Sequence, residues 1–150
     1  MQRSNMARKS LIAIGLGVLA FPAMTVLFGY SGGITVALYQ LALDLGLAPH
    51  AKLIVRGANA AVWTVIIGAL LGLPLGFFVH PCVLRFWLVF SASALMLQTA
   101  LASWSPFGIG LVALEWAMPE QWLYFLGVLL FAYVGSWLCE RRGSGEVVAP

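Results

Sequence analysis

Four stretches of this chain, 10–43, 57–84, 86–114 and 121–139, contain no Asp, Glu, Lys or Arg. A bilayer's hydrocarbon core, about 30 Å thick, takes roughly 20 apolar residues at ~1.5 Å each to cross. Each stretch holds one such span, and none holds two with a turn between them. The predicted fold is an all-α membrane protein, a four-transmembrane-helix antiparallel bundle with spans near 11–30, 58–79, 86–104 and 121–138. Residues 1–150 form a single integral membrane domain, with a flexible tail at 141–150.

Composition closes off the other classes. Hydrophobic residues make up 62% of the chain and charged residues 9%, against about a quarter charged in soluble domains. A soluble enzyme, a disordered tail and a disulfide-stapled secreted domain are all excluded. The net charge of +3 is no sign of nucleic-acid binding, because Arg3, Arg8, Lys9, Arg141 and Arg142 lie at the chain ends. There they orient spans and meet lipid headgroups. Cys82 and Cys139 are single thiols, without the C-x-x-C of a redox motif.

Lys and Arg also set the orientation. One face collects Arg3, Arg8, Lys9, Arg85, Arg141 and Arg142, and the other only Lys52 and Arg56. The basic-rich face is expected to be cytoplasmic, with both termini there and the protein in the cytoplasmic (cell inner) membrane. A cleaved signal peptide is the competing reading of the N-terminus. The apolar run after Arg8-Lys9 is too long for one, and Ala20-Phe21-Pro22-Ala23 is a poor cleavage sequence.

The first and third stretches exceed a span. The surplus predicts two short interfacial helices on the outer face, near 34–47 after Ser31-Gly32-Gly33 and near 109–118 after Ser105-Pro106. Both contain Gly-x-x-x-Val-Ala-Leu, at Gly32–Leu38 and Gly108–Leu114. That shared pattern is either a parallel repeat of two hairpins or a coincidence among common residues.

Helices in lipid associate through close backbone approach and polar contacts. Ala60, Thr64, Gly68, Gly72 and Gly76 place small side chains at every fourth position of the second span. They make a smooth ridge for another helix, within the chain or from a partner. Pro74 removes one backbone donor and predicts a kink near Leu70. In the third span Ser91 and Gln98 share a helix side, as packing contacts or as ligand contacts. Trp104, Trp116 and Trp122 near one interface, with Trp87 and Trp137 near the other, fit aromatic belts.

No catalytic, metal or cofactor motif is present. His50 and His80 are expected on opposite faces, so they cannot share a metal. One polar constellation remains on the outer side, where Arg56, Asn59, Asp44, Glu115 and Glu120 make a candidate ligand-binding groove. Arg56 is expected to clasp Glu115 or Asp44, with Asn59 one turn deeper facing the same groove. Snorkelling of Arg56 to lipid phosphate is the competing reading.

The function expected from these features is that of a non-enzymatic accessory or structural subunit acting through helix packing. Its partners would be the lipid bilayer and another membrane protein or a second copy, not nucleic acid. A small transporter or lipid-binding module with an outer groove is the alternative. An intramembrane hydrolase built on the outer carboxylates is a third, weaker reading.

Overall fold

The structure, a computed structural model, describes residues 2–103 and 119–145. All regular structure among them is helical, in the order α1 (Gln2–Asp44), a 3-10 turn (Ala48–His50), α2 (Ala51–Ile67), a π-turn (Gly68–Gly72), α3 (Leu73–Val79), α4 (Val83–Ser103) and α5 (Pro119–Gly145). Three helical segments are long and apolar enough to cross a membrane: Ala48–Val79, Val83–Ser103 and Pro119–Arg142.

The first helix departs from expectation. It runs unbroken for 43 residues, so no separate helix begins after Gly32-Gly33. Each glycine costs about 1 kcal/mol against Ala in a helix interior. The helix nonetheless passes through the pair. The helix stops at Gly46, where φ is +72°. The Gly46 amide donates to the Leu43 carbonyl and the Leu47 amide to that of Ala42, both at 2.9 Å. These two bonds form a Schellman cap, which satisfies the carbonyls that end a helix. The expected helix at 109–118 lies outside the described residues.

Pro74 disturbs the Ala48–Val79 segment as a π-turn at Gly68–Gly72. The wider turn absorbs the missing proline donor without breaking the rod. α5 opens on Pro119, a residue suited to the first helical position, and continues through Gly145. The part of the expected flexible tail at 141–145 is therefore helical. The Arg141 guanidinium stacks 3.9 Å from the Trp137 ring centre, and that of Arg142 lies 5.8 Å from Phe77, so both hold the final turns.

α1 packs on α4 and α2, while α5 packs on α2, the π-turn and α3, and also on α4. Ile67, Leu75, Val79, Phe90 and Val128 are fully buried where these helices meet. Phe90 and Phe125 meet edge to face, 6.4 Å between ring centres. The Trp87 indole donates to the Phe125 carbonyl at 2.9 Å, joining α4 to α5.

Candidate functional site

The small-residue ridge faces α5. A Cβ on Gly68 would lie 2.9 Å from the Gly127 carbonyl oxygen, and one on Gly72 would lie 2.8 Å from Phe131 Cβ and against the Val128 carbonyl. One on Gly76 would lie 2.9 Å from Ala132 Cα. α5 answers in kind, since a Cβ on Gly127 would meet Thr64 Cγ2 at 2.6 Å and one on Gly135 the Leu73 carbonyl oxygen at 2.5 Å. Ala60, also buried, begins the row. The seam is therefore occupied within the chain. A second close approach joins α1 to α4, where a Cβ on Gly17 would lie 2.5 Å from the Phe90 carbonyl oxygen. Sequence reasoning missed that contact, as well as Gly127 and Gly135. Their signals were Ala13, Gly17 and Ala20 at helical spacing, and two glycines two turns apart.

The seam opens at one end of the bundle. There Arg56 Nε donates to Glu120 Oε1, and Nη2 donates to Oε2 at 3.0 Å. This bidentate fork clasps α2 to the first turn of α5. The partner is Glu120, neither of the two carboxylates expected. Asp44 is exposed at the end of α1 and makes no ion pair among the described residues; Glu115 lies outside the described residues. Of the four polar candidates among the described residues, the structure pairs Arg56 with Glu120.

Below the clasp a groove of about 420 Å³ runs between α2 and α5, with Gly57, Ala61 and Val65 on one wall and Leu123 on the other. Asn59 is not part of its lining. Its amide oxygen instead accepts the Trp63 indole N–H at 3.0 Å. The Thr64 hydroxyl donates to the Ala60 carbonyl at 2.7 Å, so that polar group is turned back onto its own helix.

At the other end three elements converge on His80. Lys9 Nζ, from α1, donates to the His80 carbonyl. His80 Nδ1 is 2.6 Å from the Ser136 hydroxyl and 3.8 Å from a Glu140 carboxylate oxygen, both on α5. Ser136 and Glu140 approach the same ring nitrogen, so the group is not a relay in which one imidazole nitrogen faces a nucleophile and the other an acid. The cluster ties helix ends together. Only the sidedness of Lys9, His80 and Glu140 was readable from sequence.

On α4, Gln98 is buried. The Ser91 hydroxyl is buried and has no hydrogen-bond partner among the described residues. No three His, Cys, Asp or Glu side chains gather as metal ligands among the described residues. Cys82 and Cys139 are both free thiols. The chain matches no known family model, no curated protein and no solved structure.

Proposed function

We propose that this chain is a small multi-pass protein of the cytoplasmic (cell inner) membrane, acting as a non-enzymatic accessory or structural subunit through helix packing. In this reading α1 is a fourth span beside the three apolar helical segments. Both termini are cytoplasmic, because Arg8, Lys9, Arg85, Arg141 and Arg142 share their face.

The observation that carries the reading is apolar surface on the tip of the α1–α2 hairpin. From Glu120 to Glu140 α5 rises about 30 Å at roughly 1.5 Å per residue, close to the hydrocarbon thickness of about 30 Å. Arg56–Glu120 and Lys9–His80–Glu140 then sit at the two headgroup levels. The tip projects on the order of 10 Å further, counted along the helix from Arg56 to Ala48. There Leu45 is 65% exposed and Leu53 73% exposed, with Leu41 and Leu47 also exposed. Lipid tails do not reach the turn at Leu45 and Leu47, and exposed apolar side chains beyond the hydrocarbon mark a contact surface. Because the glycine seam is filled by α5, this reading assigns the partner to the tip. A second apolar helical segment, presented outside the hydrocarbon by another membrane protein, fits it.

A photo-cross-linking side chain placed at Leu45 or Leu53, in the native membrane, tests this. The expected product is a protein adduct of one defined mass from both positions. Leu88 and Met96, exposed on α4, should give lipid adducts. Lipid adducts alone from the tip would contradict the reading.

A further inference from the structure

We infer that the groove between α2 and α5 is a site for one zwitterionic phospholipid, with an acyl chain along Gly57, Ala61, Val65 and Leu123 and the phosphate on the outward edge of Arg56. This rests on the headgroup-level placement of the Arg56–Glu120 clasp proposed above and is independent of any partner at the hairpin tip.

The groove exists because the α2–α5 seam stops short of it. A Cβ added at Gly68, Gly72 or Gly76 runs into α5, whereas one added at Gly57 meets nothing within 4 Å among the described residues. Glycine therefore serves two purposes on one helix, contact below and open space above. The open volume of about 420 Å³ falls within the ~300–1,000 Å³ of small-molecule sites. With the Thr64 hydroxyl bonded to the Ala60 carbonyl, the wall below the clasp presents carbon. It suits an alkyl chain and offers nothing to a polar solute.

The mouth of the groove selects the headgroup. A guanidinium carries five N–H donors, and Glu120 takes one on Nε and one on Nη2. The rest stay available on an Arg56 side chain that is 59% exposed, at the level where lipid phosphates lie. The charge of Arg56 is already balanced by Glu120. A phosphate that brings its own ammonium leaves the site neutral, while an anionic headgroup adds a negative charge with no cation of its own to meet. Free inorganic phosphate could share the Arg56 contact but would leave the carbon wall empty.

The test is native mass spectrometry of the full chain in mild detergent, with dioleoyl phosphatidylethanolamine and dioleoyl phosphatidylglycerol offered at equal concentration. One retained phosphatidylethanolamine per chain is expected, favoured about fivefold or more over phosphatidylglycerol. Gly57→Leu fills the groove from the side where nothing opposes it, so helical content should be unchanged while retention falls about tenfold. Ala61→Leu, on an exposed position, gives the same loss by a second route. Retention in both variants equal to wild type, or phosphatidylglycerol held as well as phosphatidylethanolamine, would overturn the assignment.

Discussion

Gly72 and Gly76 are positions where one added carbon meets backbone rather than a movable side chain. At Gly72 the obstacles are the Val128 carbonyl, Phe131 Cβ at 2.8 Å and the Ala132 amide nitrogen at 3.1 Å. Gly72→Leu should force α5 away and cost on the order of 1–3 kcal/mol, read as denaturant unfolding in detergent micelles. Gly72→Ala should cost less, because the helices have only one carbon to accommodate. Gly57→Leu on the same helix should stay within about 0.5 kcal/mol of wild type. Equal stability for Gly72→Leu and wild type would show that the seam is not closed. The fourth-residue spacing from Ala60 to Gly76 made one side of this seam legible in the sequence. The other side was harder to see, because Phe131 sits between Gly127 and Gly135 and hides their common face. The clasp was half legible. From sequence, Arg56 could reach up to lipid phosphate or pair with a carboxylate at its own end of the bundle, where Asp44, Glu115 and Glu120 all had the right sidedness. Only the α2–α5 packing, invisible to a single sequence, chose Glu120.

The elements differ from a reading by punctuation mainly in α1. Ser31-Gly32-Gly33 resembles a break, yet the helix passes through it and ends at Gly46. The positive φ there suits a residue without a Cβ. Gly46→Ala should therefore cost about 1–2 kcal/mol. Gly33→Ala adds a Cβ where nothing among the described residues lies within 4 Å, so it should gain about 0.5–1 kcal/mol as mid-helix Ala replaces Gly. Paired unfolding curves for the two variants check both signs; a destabilised Gly33→Ala would put a break back at 31–33. Pro74 was more informative. The ring cannot avoid the carbonyl four residues back, so a disturbance near Leu70 was fixed by covalent geometry, and the π-turn at Gly68–Gly72 supplies it. At the end of α5 the run from 141 looked like a loose tail because it turns polar. The stacking of Arg141 on Trp137 and the approach of Arg142 to Phe77 depend on a helix already being there, so sequence alone could not foretell them.

Across the whole molecule, two polar belts frame an apolar bundle. Arg56 and Glu120 join α2 to α5 at one end. At the other, Lys9, His80, Ser136 and Glu140 join α1, the turn after α3, and α5. The spacing of these belts along α5 matches hydrocarbon thickness, and on that match rest the placement of the groove at headgroup level and of the hairpin tip beyond it. Impermeant maleimide labelling of intact cells tests it most directly. The native Cys82 and Cys139 lie at the terminal end, and Cys82 is exposed. Leu45→Cys, in a chain carrying Cys82→Ser and Cys139→Ser, puts one thiol at the hairpin tip. The account predicts that Leu45→Cys labels in intact cells, and that the wild-type Cys82 labels only after the membrane is permeabilised. Labelling of both thiols from the same side would contradict it.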